Sequence, residues 1–179
     1  MKATGIVRRI DDLGRVVIPK EIRRTMRIRE GDPLEIFTDR DGEVIFKKYS
    51  HIGELASFAS QYVDTLNKIC SMSVVVTDRD TVIACAGVSK KEYSDKKLTQ
   101  EFESLMEKRG LYIHQEGNPI SICDGASSFV KYAMPIVSEG DIIGCIACVS
   151  TDLGGTDPHS TEAKLIQTAS TFLGRQFEG

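Results

Sequence analysis

Long apolar runs are missing from this 179-residue chain, and no secretory leader is expected. No stretch approaches the roughly eighteen uninterrupted apolar residues of a membrane-spanning helix, so none is expected. The opening residues "MKATGIVRRIDDLG" lack the apolar core of an export signal, which makes the cytoplasm the expected compartment. Internal repeats and low-complexity segments are absent too. Cysteine is scarce and odd in number: Cys70, Cys85, Cys123, Cys145 and Cys148 lie in apolar or strand-like runs. That suits reduced, buried thiols and argues against a disulfide framework. The three histidines, His51, His114 and His159, have no ligand-like spacing to the cysteines or to each other. A structural or surface role is expected for each. Cys145 and Cys148 form a CxxC, but in a strand residues i and i+3 point to opposite faces, so no shared metal is expected.

What is present is an unequal division of charge. Residues 1–29 carry nine Lys or Arg against three acids, a net of +6, whereas residues 51–179 carry eleven against seventeen, a net of −6. Such asymmetry points the basic end toward nucleic acid or an acidic surface, and the rest toward something else. The texture changes at the same place. Residues 1–50 read as short elements and tight turns: strands "GIVRRI" and "RVVI" about the turn "DDLG", a short helix from Pro19, then "LEIFTD" and "VIFKKY" joined through Asp41-Gly42, a strong hairpin signal. After Ser50 comes "IGELASFASQYVDTLNKIC", with apolar residues at three- and four-residue steps, which predicts a linker helix over 52–70. The expected domains are therefore 1–50 and 51–179. A fifty-residue unit without disulfide or metal is near the lower limit for a stable core, so the first domain is expected to borrow core from a second copy.

The stretch "DDLGRVVIPKEIRRTMRIREGD" raises the functional question. Pro19 suits the first position of a helix, where an N–H would be unpaired anyway. At about 100° per residue, Ile18, Ile22 and Met26 then gather on one face and Lys20, Arg23, Arg24 and Arg27 on the opposite one. A solvated helix usually alternates charge so that neighbours pair, yet its one acid, Glu21, lies off the cationic face. Arg8 and Arg15 flank the "DDLG" turn, and a hairpin would hold them close together. A solubilising charge run and an anion-binding surface both remain open on these residues alone.

The segment "TGIVRRIDDLGRVVIPKEIRRTMRIREGDPLEIF" resembles the DNA-binding domain of the AbrB family of bacterial transition-state regulators, over roughly residues 3–48. That resemblance implies a swapped-hairpin dimer in which two chains interleave strands. It also implies DNA contacts from Arg8, Arg15, Arg23 and Arg24, with Arg9, Lys2 and Lys20 as further candidates. Arg27 stands where relatives often carry a small residue and is assigned no contact. The implied partners are double-stranded, AT-rich promoter DNA and a second copy of the chain.

Beyond the linker helix the order is strands "SVVVTD" and "TVIACAG", a helical "KKLTQEFESLMEKRG", strand-like "LYIHQ" and "ISICDG", a hairpin "FVKYAMPIVSEGDIIGCIACVSTD" and a closing helix starting near Ser160. This order, with "MPIVSEGDIIGCIACVS", resembles a GAF domain. The expected fold is thus α+β: a β-rich swapped-hairpin head and a GAF-like α/β body with a central antiparallel sheet. Such a layout is similar to that of sporulation regulators of endospore-forming bacteria, implying control of genes expressed in the developing forespore. GAF domains commonly hold a small molecule; here the pocket would draw on residues 85–125, but no constellation names a ligand and no cofactor is evident. The body would otherwise serve self-association, pairing dimers into tetramers. The Lys-rich "GVSKKEYSDKK" reads as a solvated loop. Two alternatives follow from the same folds. Swapped-hairpin heads occur in antitoxins, which wrap a toxin with an extended tail, whereas this chain continues into an ordered-looking domain. Some GAF-like proteins reduce free methionine sulfoxide with cysteines, and Cys85 with Cys123 would be the pair here; turnover lost on Cys123→Ser is the sign that reading needs. A buried thiol more often serves as a small hydrophobe, so no enzyme is expected.

Overall fold

Asp41 and Gly42 separate two apolar runs, and a tight turn at this pair lays the runs side by side. In the computed structural model, which describes residues 4–49, 56–94, 96–115 and 117–176, they form β1 (Leu34–Thr38) and β2 (Val44–Lys48), antiparallel with Ile36 opposite Phe46. Gly42 has φ +81°, a left-handed value that glycine adopts without a Cβ penalty. The Asp39 carboxylate completes the loop, accepting the N–H groups of Asp41 and Glu43 at 3.1 and 2.8 Å.

Helix α1 (Lys20–Thr25) starts one residue later than its proline suggests: Pro19 is the cap and its carbonyl accepts the Arg23 N–H at 2.9 Å. At the other end Arg27 turns left-handed, φ +51°, and Ile28 N–H reaches back to the Arg23 carbonyl at 2.7 Å. This is the helix stop that normally takes glycine. The expected strands at 5–10 and 15–18 are not formed in the single chain. A ladder needs a neighbouring strand, and within one copy these segments share only the Asp11–Arg15 turn. Their apolar side chains stay in solvent: Val7 is 85% exposed and Val17 71%. Met26, expected on an apolar helix face, is likewise exposed.

The chain divides into two compact units, Met1–Tyr49 and Ser50–Gly179. The second holds α2 (Ala56–Cys70), β3 (Val74–Thr77), β4 (Val82–Ala86), α3 (Lys90–Tyr93), α4 (Gln100–Glu107), β5 (Tyr112–Ile113), β6 (Phe129–Ser138), β7 (Asp141–Ser150) and α5 (Thr161–Gln176). The expected start of the linker helix, residues 52–55, lies outside the described residues. Strand order is β4-β3-β7-β6-β5, with antiparallel pairing throughout. Glu139 and Gly140, at φ +50° and +86°, turn β6 into β7, matching the primed turns that fit strand twist. Because side chains alternate along a strand, the fully buried run Val74–Thr77 feeds two cores. Val74 and Val76 pack with α2 and α5 through Val63, Leu66, Ile166 and Leu173. On the other face Val75 packs with Tyr93, Phe102, Leu105 and Met106 of α3 and α4. The α+β class and the central antiparallel sheet are as expected.

Three local readings are corrected. Lys90–Tyr93 in the Lys-rich segment is a helical turn rather than solvated loop, because Tyr93 is fully buried and its hydroxyl donates to the Ser128 carbonyl at 3.4 Å. Helix α4 begins only after Thr99, whose Oγ1 caps it by accepting the Phe102 N–H at 3.2 Å; Lys97 and Leu98 before it bridge to Thr81 and Cys123. "ISICDG" supplies that single bridge and no strand. The start of α5 is as expected: Ser160 Oγ accepts the Ala163 N–H at 3.1 Å. Tyr132, fully buried on β6, ties that cap to the sheet, its hydroxyl oxygen accepting from Asp157 N–H at 2.9 Å and Ser160 Oγ at 3.2 Å. Among the described residues no helix is long and apolar enough to cross a membrane.

Gly174 gives the packing a sign test. Ala for Gly inside a helix ordinarily gains up to about 1 kcal/mol. Here a Cβ would run into the Val137 carbonyl oxygen, where α5 crosses β6. Gly174→Ala is therefore expected to lower stability, by about 1–3 kcal/mol as overpacking does, seen as a reduced denaturant midpoint. A raised midpoint would show that α5 moves off the sheet at little cost.

Candidate nucleic-acid interface

Arginine is the side chain best suited to anions, presenting a planar fork of donors that stays charged at any physiological pH. Five of the six described residues proposed to contact DNA are arginines, and all six are exposed. Arg8 and Arg9 lie on the segment entering the turn and Arg15 on the segment leaving it, while Lys20, Arg23 and Arg24 lie on α1. Lys2 lies outside the described residues. Among the described residues no carboxylate forms an ion pair with Arg8, Arg9, Arg23 or Arg24. Arg23 and Arg24 occupy the last turn of α1, where the helix dipole favours cations.

Arg15 differs from the others. Its Nε donates to Asp11 Oδ2 at 2.8 Å. Oδ1 of the same carboxylate accepts the backbone N–H groups of Leu13 at 3.0 Å and Arg15 at 2.8 Å. The Arg15 backbone N–H, with its guanidinium second, holds the Asp11 carboxyl below its ordinary value. Arg27 sits apart, in the left-handed C-terminal position of α1, with its carbonyl accepting from Lys48 Nζ at 2.9 Å. Sequence spacing placed it on the cationic face without revealing that the helix ends there. Lys48 was also missed: it joins β2 to this helix stop and stands 3.5 Å from the buried Asp32 carboxylate. A conformational position and a tertiary ion pair leave no short-range signal.

In the second unit, a recess of about 210 Å³ beside β4 is lined by Ser60, Asp64, Cys85, Lys90 and Ser94, among others. It draws on α2 as well as on the expected 85–125 stretch. Phe172 on α5, 40% exposed, stacks on Tyr62 and leans on Phe58, ring centroids 5.9 Å apart in each case. Cys70 is exposed, against the expected burial, whereas the other four cysteines are buried and their thiols are not primed for nucleophilic work. Burial raises Cys85 and Cys123, pushes Cys148 up to about 12 and raises Cys145 further. Cys145 and Cys148 face opposite cores, as the strand period predicts. His114 Nδ1 stands 3.4 Å from the Tyr112 hydroxyl, and His159 N–H donates to Asp157 at 2.9 Å. His51 lies outside the described residues.

Comparison with known proteins covers both units. Residues 54–178 match the family described as Stage V sporulation protein T C-terminal, transcription factor. Residues 7–53 match the family described as Antidote-toxin recognition MazE, bacterial antitoxin. The chain is 51% identical over 180 residues to stage V sporulation protein T of Bacillus subtilis (strain 168), covering 99% of each. It is similar to the solution structure of the N-terminal DNA recognition domain of the Bacillus subtilis regulator AbrB, at 62% identity over 28% of this chain and 92% of that one, TM-score 0.25. The cofactor-binding GAF domain of the nutrient sensor CodY from Clostridium difficile aligns at 14% identity over 65% of this chain and 82% of that one, TM-score 0.43.

Proposed function

The chain belongs to the stage V sporulation protein T family and is a transcription factor; from that premise we propose that it acts in the cytoplasm as a homo-oligomer on AT-rich promoter DNA of sporulation genes. Contacts come from Arg8, Arg15, Arg23 and Arg24, supported by Arg9, Lys2 and Lys20. The carrying observation is that Arg8, Arg9, Arg23 and Arg24 are exposed and, among the described residues, have no carboxylate partner, on a unit whose relative is described as a DNA recognition domain. Phosphate contacts supply affinity and fix register, while base edges and sequence-dependent deformability supply discrimination. The N-terminal units pair, and the second units join pairs into tetramers through the face that carries Phe172. No catalysis is proposed, because thiols raised by burial make poor nucleophiles.

A direct comparison tests the shape component: an AT-rich duplex and a GC-rich duplex of equal length, titrated at one salt concentration. Tighter binding to the AT-rich duplex is expected. Equal affinities would remove the AT-rich assignment and leave a sequence-independent DNA binder. One observation favours a second reading, capture of a protein toxin: the match of residues 7–53 to the antitoxin description. Against it, residues 56–176 form a folded domain with two cores rather than a wrapping tail. A small protein that copurifies in fixed ratio and displaces DNA would reverse the order of the two readings.

A further inference from the structure

Asp11 is an acid in the most basic part of the chain, and on a DNA-facing surface a carboxylate should weaken binding by repelling phosphate. Its geometry says otherwise. The two oxygens have separate tasks. Oδ1 closes the turn through the N–H groups of Leu13 and Arg15, alongside the Gly14 N–H donating to the Asp11 carbonyl at 3.0 Å. Oδ2 takes the Nε–H of Arg15 at 2.8 Å. Nε lies on one edge of the guanidinium. Holding the group there fixes its plane and leaves the Nη1 and Nη2 donors outside the pair, on a side chain that is 70% exposed.

We propose that Asp11 is a positioning residue for Arg15, orienting its fork so that the terminal N–H pair meets phosphate or a base edge. This rests on Arg15 being a DNA contact. Two effects compete. A free arginine loses much of its rotamer freedom when it binds a rigid partner, and pre-orientation removes most of that loss. The cost is one negative charge within about a Debye length, 8–10 Å, of the phosphates. Binding gains from the first more than it loses to the second because the carboxylate is already neutralised by the arginine it holds.

The sign of one substitution separates these effects. In Asp11→Asn the amide oxygen still accepts both backbone N–H groups, and asparagine suits such turns. The amide nitrogen then opposes Nε–H, donor to donor, and releases the arginine. Plain electrostatics expects tighter DNA binding from the lost negative charge. The expected result is weaker binding, by roughly three- to thirtyfold across the two copies of a dimer, from losing an oriented charge-assisted contact. In an Arg15→Ala background the same Asp11→Asn change is expected to be neutral or to strengthen binding. The Nε–H resonance of Arg15 is expected to lose its protection in Asp11→Asn while the Gly14 amide keeps its own. Wild-type affinity or better in Asp11→Asn with Arg15 present overturns the proposal, as does an equal loss in both backgrounds, which would assign Asp11 to the turn alone. Absence of DNA binding by the wild-type chain is a separate result and would instead remove the reading on which this one stands.

Discussion

A fragment of residues 1–49 is expected to unfold on dilution, its denaturation midpoint rising with protein concentration. Apart from Pro19, no described apolar side chain of this unit is buried, and every buried apolar side chain in either core lies at Ala59 or beyond. Val7, Ile10, Leu13 and Val17 stand in solvent on segments with no ladder of their own. A single copy therefore lacks the apolar burial, at roughly 25 cal/mol per Å², that offsets chain entropy. A second copy supplies both missing ladder partners and apolar cover. For a folded dimer in equilibrium with unfolded monomers, each tenfold dilution costs about 1.4 kcal/mol of apparent stability. The change is large enough to follow by circular dichroism over two decades of concentration. Sedimentation of the full chain at the same concentrations should give dimer or tetramer mass. A folded fragment of monomer mass, with a midpoint independent of concentration, would remove swapped pairing.

Replacing Arg23 and Arg24 together by alanine is expected to lower DNA affinity by about 10²- to 10⁴-fold at fixed salt. In a dimer the double change deletes four guanidinium groups, and a hydrogen bond to a charged group contributes about 1.5–3 kcal/mol before losses to screening and imperfect geometry. Alanine is the better helix former, so α1 itself is not put at risk. Unchanged sedimentation confirms that the loss lies in contact rather than assembly. Neither arginine has a carboxylate partner among the described residues, so the substitution strands no buried charge. Undiminished binding by the variant would return these residues to the solvated surface.

Much of this was legible locally. Asp41-Gly42 announces its hairpin through the left-handed turn that glycine permits, and Ser160 announces α5 through its side-chain cap. The opposed faces of Cys145 and Cys148 follow from the strand period alone. What sequence could not supply depends on contact across distance. Residues 5–10 and 15–18 read as short strands about a turn, yet a strand exists only beside another. Tyr93 looked like part of a polar loop because its burial is set by Ser128, far along the chain. Nothing local to Gly174 signals the Val137 carbonyl that packs against it from β6. For the interface, helical spacing picked out Lys20, Arg23 and Arg24, whereas Arg8, Arg9 and Arg15 came from the family resemblance. The end of α1 at Arg27 and the grip of Asp11 on Arg15 emerged only with backbone geometry.

Affinity of the full-length protein for an AT-rich promoter duplex, measured across a salt series, addresses the DNA surface most directly. Four arginines in each of two copies give eight phosphate contacts, and at about −0.9 per contact the log-log slope approaches −7 as an upper bound. A steep negative slope, several units in magnitude, is the outcome expected of a phosphate-clasping dimer. A slope near zero, or no binding at low salt, would mean that the basic unit faces solvent or a protein and not DNA.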